Sequence, residues 1–332
     1  MPVYLLVFLI FACISTNLPC AAKLGWHKMV SSQSPNSQEV PTQILRTGIN
    51  LSVQQISPNT RQLADILKIT PLLKKIQDKR ESLGEKDEFL TIDDLRNSHR
   101  LALNVIDAMQ IIQEANLAVD FTLAEISAEQ NVYTDILGNY QSSRDKAVFK
   151  TNALSFITNG ALWAVCEGLD IPTYARPRYS ISSGTTGILA GIIPSVASAY
   201  ALYQLDGKHR PSEVDPNMLA KIFNYPINPD IDYPNSVWQF LNSVPADERG
   251  TQTRRDLLIE RWVTDKNIPN FTDRSSKDQL DVITASVSRS KGLSIATLNV
   301  RQVMLKQLSA EILKMKRMLL ELSMVVHGEK RI

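Results

Sequence analysis

The sequence predicts an all-α protein in which long heptad-repeat helices flank an apolar helical hairpin. Three observations support this class. The chain has only 13 glycines and 7% aromatic residues, which suits strands and tight turns poorly. Two long stretches carry apolar residues at seven-residue intervals, near 105–140 and 298–326. Between them lie two apolar segments, Ala153–Leu169 and Gly184–Leu205, joined by a polar hinge with Pro172 and Pro177.

Composition bounds the possible functions. The 332 residues suffice for a substantial core, and 36 Lys+Arg against 34 Asp+Glu leave a net charge of +2. This balance gives no electrostatic basis for a nucleic-acid partner, and we expect none. The cysteines are Cys13, Cys20 and Cys166, of which Cys166 alone would remain after the cleavage predicted next, so no intrachain disulfide is expected.

The N-terminal region predicts export. Residues 3–14 form an uninterrupted apolar run, and small residues at Ala21 and Ala22 precede Lys23. We interpret residues 1–22 as a signal peptide, although no Lys or Arg precedes the run, and an uncleaved anchor is the alternative. Residues 23–60, rich in Ser, Gln, Asn, Thr and Pro, are predicted to be a polar flexible leader.

Residues 61–150 form the first predicted helical segment, with a break or kink at Pro71. Thr91 and Asp94 match a capping box, so a long helix should begin at Ile92 and run to about Arg144, roughly 80 Å at 1.5 Å per residue. Its predicted apolar stripe repeats every seven residues, with mates four residues further on. The stripe is Val105, Ile112, Val119, Ile126, Tyr133 and Tyr140, and its mates are Met109, Leu123 and Leu137.

The apolar hairpin, residues 151–205, is predicted to lie in a membrane. Stripes of small residues at four-residue spacing favour close packing of two helices in lipid. They are Gly160, Ala164 and Gly168 in the first arm, and Gly187, Gly191, Ser195 and Ala199 in the second, which Ser183 or Thr185 should cap. Basic residues (Arg144, Lys146, Lys150) and tyrosines (Tyr174, Tyr179, Tyr200, Tyr203) stand near the ends of the arms, as at a bilayer surface. Asn159, Glu167 and Pro194 interrupt the arms, so the alternative is a soluble hairpin buried in a core.

The rest of the chain divides into two predicted units. Residues 206–274, punctuated by prolines, form a loop-rich insert with short helices at Asn217–Phe223, Val237–Leu241 and Thr251–Val263. Residues 275–332 form a C-terminal heptad helix that follows a capping box at Ser276 and stops at Gly328. Its stripe is Leu298, Leu305, Ile312, Leu319 and Val326, with mates Leu308, Met315 and Leu322, and only Arg301 interrupts it. We expect the two heptad helices to pack antiparallel within one subunit, with pairing between subunits as the alternative.

No motif for catalysis, cofactor or metal binding emerges. The histidines (His27, His99, His209, His327) have no ligand spacing, and Asp230 and Asp232 lack the further oxygen ligands of a calcium loop. Cys166 is interpreted as an unreactive thiol, and Arg249, Arg254 and Arg255 as a solvated face. We therefore expect no catalytic residue, no cofactor and no metal.

The sequence favours a non-enzymatic, exported helical membrane protein that acts as a structural or partner-binding scaffold. Lipid is the expected partner of the hairpin. A protein partner would meet the insert, or the chain would self-associate through its heptad helices. The first alternative is an α-helical pore-forming or membrane-inserting protein. The second is a soluble enzyme with a buried apolar hairpin.

Overall fold

The computed structural model describes residues 49–84, 91–174, 176–205, 207, 211, 214–247, 250–268, 274–287 and 292–332. The predicted signal peptide 1–22 and most of the predicted leader lie outside these residues. Within them the fold is all-α, without a strand, apart from one isolated parallel bridge between Gln55 and Arg331. The helices are α1 Pro58–Ile66, α2 Thr70–Gly84, α3 Ile92–Asp170, α4 Tyr179–Leu205, α5 Met218–Ile222, α6 Asn235–Leu241, α7 Arg254–Thr264, α8 Arg274–Ile283 and α9 Ile295–His327.

The longest element is α3, with 79 residues and a length of about 120 Å at 1.5 Å per residue. The predicted capping box is present: the Thr91 side chain accepts from the Asp94 N–H, and the Asp94 carboxylate accepts from the Thr91 N–H. The expected end near Arg144 is wrong. No proline occurs between Thr91 and Pro172, and isolated glycines do not break the helix, so α3 continues through the first apolar segment.

Helices α3 and α9 pack antiparallel. Gln302 Nε2 donates to Thr134 Oγ1 at 2.8 Å, while Lys316, further along α9, pairs with Asp120 at 2.7 Å and bonds Asn116 at 2.6 Å. Residue numbers thus rise on one helix as they fall on the other. The apolar residues of the predicted α9 stripe and its mates are all buried. Pairing therefore occurs within one chain, while a coiled-coil supercoil remains a prediction.

The buried face of α3 differs in part from its prediction. Ile112, Val119, Ile126 and Tyr133 are buried as expected. Of the predicted mates Met109, Leu123 and Leu137, only Leu137 is buried. The neighbouring buried positions are Ala108, Ala115 and Thr122, four residues before the stripe instead of four after it. The facing side chains of α9 are large, so close packing favours small residues on α3.

The C-terminal unit, residues 275–332, is two helices. Ser276 lies inside α8, which begins at Arg274, and α9 starts separately after Ser294, whose side chain accepts from the Thr297 N–H. The Ser- and Gly-containing stretch between Ile283 and Ser294 interrupts the helical pattern. Gly328 ends α9 at φ 86°, the left-handed conformation that glycine adopts without strain, as predicted.

A buried ion pair joins the two ends of the described chain. Lys330 Nζ lies 2.6 Å from Glu321 Oε1, and Ser57 and Thr60 donate their hydroxyls to Glu321 Oε2. Burial raises the pKa of Glu321, but the hydrogen bonds from Lys330, Thr60 and Ser57 hold it below its usual value. The end of the predicted leader is thus packed, because Ile56, Asn59 and Thr60 are buried and α1 already starts at Pro58.

The loop-rich insert contains the expected short helices with slightly shifted ends. Asn217 caps α5, and Thr253 forms a capping box with Asp256 at the start of α7. Arg254 is not part of a solvated face as expected: it is buried, donates to Asn59 and Gln62 of α1, and stacks on the Phe240 ring. A buried guanidinium with several acceptors fixes the insert against α1.

We call the helices outside the hairpin of residues 151–205 the body. We expect Ile312→Asp to destabilise this body by several kcal/mol. Ile312 is fully buried in the face of α9 that packs on α3. The change removes about 2–3 kcal/mol of apolar burial and adds the desolvation of a carboxylate. Limited proteolysis and thermal unfolding of the full chain measure the loss. Lys306→Asp, at an exposed position of α9, is the control and should change stability by about 0.5 kcal/mol or less. Equal protease resistance of the two variants would contradict this packing.

Candidate functional site

The end of α3 and all of α4 form an antiparallel hairpin. At its base Thr151 Oγ1 donates to Gln204 Oε1 at 2.8 Å, and near its tip the Cys166 thiol donates to Ser183 O at 3.2 Å. A 3₁₀ turn, Ile171–Tyr174, lies at the tip. The second arm begins at Tyr179, earlier than expected, so Ser183 and Thr185 lie inside α4 and cap nothing.

Large apolar side chains cover the outside of this hairpin. We call the following residues its outer face: Leu154, Phe156, Ile157, Ile181, Ile188, Val196 and Leu202. Each is more than 60% exposed, and Phe156 reaches 81%. Solvated helices normally turn such side chains towards a partner, and none of the other described residues covers this surface.

The surface between the two arms is mainly small or polar. We call it the inner face: Thr151, Ser155, Thr158, Leu162, Cys166 and Leu169 on α3, and Ser183, Gly187, Ala190, Pro194, Ala197, Ala201 and Gln204 on α4. Of these, only Leu162 and Leu169 are large and apolar, although Ile193 of α4 is also half-buried. Small and polar residues such as Ser182, Thr185 and Ser195 occur at exposed positions too, but most of the large apolar residues of the hairpin lie on its outside. This arrangement of side chains is typical of helix pairs in lipid. There, large apolar side chains can face the surrounding acyl chains without cost, and hydrogen bonds join the helices.

The predicted small-residue stripes are not the line of contact. A Cβ built on Gly160, Gly168 or Gly191 meets nothing within 4 Å, whereas one on Gly187 would lie 3.3 Å from Cys166 Sγ. A stripe at four-residue spacing advances about 40° around an α-helix at each step. The inner face of α4 instead alternates steps of three and four residues, which keeps it on one side.

Polar and aromatic residues mark both ends of the hairpin. Tyr174, Arg176 and Arg178 are exposed at the tip, where Tyr179 is half-buried. At the base, exposed Lys146 and Lys150 lie near the stacked rings of Tyr200 and Tyr203, whose centroids are 6.5 Å apart. The 22 residues from Tyr179 to Tyr200 span about 30 Å. That length matches the hydrocarbon core of a bilayer, with aromatic and basic residues where its interfaces would lie.

Two polar residues lie within the arms. Glu167 is exposed one turn from the end of α3 at Asp170, close to the tip as its charge requires. Asn159 lies mid-arm, and its Oδ1 has no hydrogen-bond partner among the described residues. Of the described helices, α4 alone is long and apolar enough by itself to cross a membrane. Only 11% of its most apolar 18-residue stretch is buried.

The remaining candidate residues do not assemble a reactive centre. Within the described part of the chain, no group of three or more His, Cys, Asp and Glu side chains could hold a metal. Asp232 pairs with Lys221, and the Asp230 N–H donates to Asn228 Oδ1. The Cys166 thiol and Ser183 hydroxyl each donate to the other residue's backbone carbonyl, which is a structural contact.

A buried polar cluster in the body was missed by sequence reasoning. Glu129 Oε1 accepts from the Met218 N–H at 2.7 Å, and Asn217 Nδ2 donates to the Tyr133 hydroxyl at 3.1 Å. The Arg301 guanidinium lies 5.1 Å from the centre of the Tyr133 ring. Burial raises the pKa of Glu129 from 4.5 to about 7, against the opposing effects of the Met218 hydrogen bond and the Arg301 charge. The only hint of this cluster in the sequence was Arg301, a charged residue at an otherwise apolar position of the α9 heptad pattern.

Comparison with protein-family models, curated proteins and solved structures finds no match to this chain. Function must therefore be argued from the hairpin and the body alone.

We expect Glu129 to make stability pH-dependent. Its pKa is about 7 in the folded chain and near 4.5 when unfolded, so its proton stabilises the fold below about pH 4.5. That contribution disappears as the pH rises through about 7. Glu129→Gln, which keeps the acceptor for Met218, should remove this loss and stabilise the body at pH 8 by on the order of 3 kcal/mol. Asp135→Asn, an exposed change on the same helix, is the control. Parallel pH profiles of wild type and Glu129→Gln in thermal unfolding would contradict the assignment.

Replacing Gly187 by leucine should disturb the packing of the two arms, whereas replacing Gly191 should not, and a disulfide cross-link between the arms can measure the difference. In a background with Cys13 and Cys20 replaced by serine, Ser183→Cys puts a second thiol close to Cys166, because Ser183 Oγ lies 3.5 Å from Cys166 Sγ. Oxidation should join the two thiols, which a PEG-maleimide gel shift detects. Adding Gly187→Leu should reduce the cross-linked fraction several-fold, since its side chain meets Cys166. Adding Gly191→Leu should leave the fraction unchanged, and the opposite order would refute this geometry.

Proposed function

We propose that this protein is a non-enzymatic helical membrane protein whose α3–α4 hairpin crosses a lipid bilayer. The remaining helices then form a body at one membrane surface, as a structural or partner-binding component. The observation that carries this proposal is the reversed polarity of the hairpin, with large apolar side chains on its outer face and small or polar ones on its inner face.

The free energies of burying apolar and polar side chains support insertion of the hairpin into a bilayer. Full burial of a Val, Leu, Ile or Phe side chain contributes about 1.5–3 kcal/mol, and the outer face offers several that the chain leaves exposed. Against this, a carboxylate at bilayer depth costs about 2.5 kcal/mol or more, and Glu167 lies one turn from the tip, where the cost is lower. Asn159 adds a further cost, because it lies mid-arm and its Oδ1 has no hydrogen-bond partner among the described residues. The seven side chains of the outer face together offer about 10 kcal/mol or more, which exceeds these polar costs.

The hairpin sets the topology. Two arms return the chain to the side it left, so the body remains on one side while the tip, with Arg176 and Arg178, reaches the other. If residues 1–22 are a signal peptide, the body lies on the exported side. We further propose that α3 and α9 form a coiled-coil-like stalk on this body, with the loop-rich insert as the partner-facing surface.

A pore-forming protein is the second candidate. The specific observation that favours it is the polar component of the inner face: Thr151, Ser155, Thr158 and Gln204 could line a water-filled path if several hairpins assembled and opened. A soluble enzyme with a buried hairpin is not favoured, because the outer face is exposed in the part of the chain that the structure describes.

The test compares one substitution at two positions of α3. Ile157, on the outer face, is 67% exposed, and Ile106, in the body, is 60% exposed. An Asp at bilayer depth costs about 2.5–3.5 kcal/mol, whereas at a solvated position it costs little. Ile157→Asp should therefore lower membrane retention tenfold or more under alkaline extraction, while Ile106→Asp should match wild type. Circular dichroism confirms that both variants fold.

Equal retention of both variants would contradict membrane insertion of the hairpin. The pore candidate is separated by a dye-release assay with the wild-type protein in vesicles. An anchored scaffold leaves the vesicles sealed, and a pore former empties them.

A further inference from the structure

A cavity of about 590 Å³ lies beside the middle of α3 in the body. Residues from α3, from α9 and from the segments before α5 and α9 line it: Val132, Tyr133, Ile136, Asn139, Tyr140, Ser143, Pro211, Asp215, Ala285, Leu293 and Arg301. Its walls are partly apolar, through Val132, Ile136 and Leu293, so the cavity suits an occupant with an apolar portion.

Arg301 is the buried charge of this cavity. Its side chain is 4% exposed, its Nη2 donates to Val282 O, and its Nε–H has no hydrogen-bond partner. No carboxylate of the described residues lies within ion-pair distance of the guanidinium. Burial lowers the pKa of Arg301 against the opposing effects of Tyr133, which also hydrogen-bonds it, and of Glu129. Among the described residues this buried cation therefore remains incompletely compensated, and a further anionic partner at the cavity wall would be favourable. Guanidinium groups placed in this way bind carboxylates and phosphates through paired hydrogen bonds.

The nearby carboxylates do not take the place of such a ligand. Glu129 Oε1 already accepts from the Met218 N–H, and burial keeps this carboxyl neutral below about pH 7. Asp215 lines the cavity but is exposed to solvent. Glu129 acts electrostatically on Arg301, but neither of these two carboxylates bonds to it.

The cavity continues towards the hairpin. Tyr140 and Ser143 also line a second cavity of about 190 Å³, together with Arg144, Tyr200 and Tyr203 at the hairpin base. The two cavities follow one side of α3 from Tyr133 to Ala147, about 20 Å at 1.5 Å per residue. One end of this path is a buried guanidinium and the other is a pair of tyrosines where the bilayer surface would lie.

We propose that this path binds a single-chain anionic amphiphile of the fatty-acid class. Its carboxylate lies on the Arg301 guanidinium, and its acyl chain runs past Ile136 and Tyr140 towards Tyr200 and Tyr203. The entry of the acyl chain from the bilayer rests on the proposed function of the hairpin. Binding of the acid group at Arg301 does not.

The test is photolabelling of the full chain in phosphatidylcholine vesicles. The probe is a fatty acid with a diazirine near the end of its chain, and labelled residues are located by mass spectrometry. We expect saturable labelling between Tyr133 and Ala147 that excess dodecanoate removes and excess dodecanol does not. Arg301→Met should reduce this labelling tenfold or more, and Lys306→Met, an exposed change on α9, should not.

Because Arg301 is buried, Arg301→Met could lose labelling through unfolding, so a second variant at an exposed position is included. Ser143 is exposed and lies where the two cavities meet, so Ser143→Trp should obstruct the path and reduce the saturable labelling without disturbing the core. Unsaturable labelling, equal competition by dodecanol, competition by inorganic phosphate alone, or full labelling of Arg301→Met would each overturn the proposal.

The same experiment separates this inference from the proposed function. Labels on Phe156, Ile157 or Ile188 that do not saturate report contact of the outer face with lipid. Their presence without saturable cavity labelling overturns the amphiphile site and supports the inserted hairpin. Cavity labelling without them supports the site and overturns the insertion.

Discussion

The structure depends on one unbroken helix that carries apolar side chains into two different surroundings. In its first half α3 presents Ile112, Val119 and Ile126 to α9, and these side chains are fully or almost fully buried. In its last two dozen residues the same helix carries Leu154, Phe156 and Ile157, which are 67–81% exposed and which no other described residue covers. The first half also exposes some large apolar side chains, such as Ile106 and Leu117, but the hairpin concentrates many of them on two adjacent helices. Because exposed apolar surface is unfavourable in water, this concentration supports the proposed lipid neighbour.

The two halves also differ in what holds them to their partners. Between α3 and α9 the contact is apolar, with polar bonds such as Lys316–Asp120 at its margin. Between α3 and α4 the contact is small and polar, with hydrogen bonds such as Thr151–Gln204 inside it. Expulsion of water stabilises the first pairing, whereas close approach and hydrogen bonding stabilise the second, as expected where lipid replaces water. Helix α3 runs without a break from one pairing into the other and so connects the body to the hairpin.

Local signals in the sequence predicted element starts and stops better than they predicted partners. Thr91, Pro71 and Gly328 act through their own backbone and side-chain chemistry, and each does in the structure what it was expected to do. The prediction that α3 ends near Arg144 was wrong, because basic residues mark a possible membrane interface but do not stop a helix. The four-residue glycine stripes failed because spacing alone does not identify the face that meets a partner. The Glu129–Arg301 cluster joins residues far apart in the chain, and no local pattern reports such a meeting.

Nitroxide scanning of the hairpin in vesicles tests the central claim most directly. Spin labels would be placed singly at outer-face positions such as Leu154 and Ile188 and at inner-face positions such as Ser155 and Ala190. Collision rates with oxygen, which concentrates in lipid, and with a water-soluble nickel chelate would then be compared. We expect high oxygen and low nickel accessibility on the outer face, and low accessibility to both reagents on the inner face. High nickel accessibility along the outer face would show that it meets water, and would contradict a membrane-spanning hairpin.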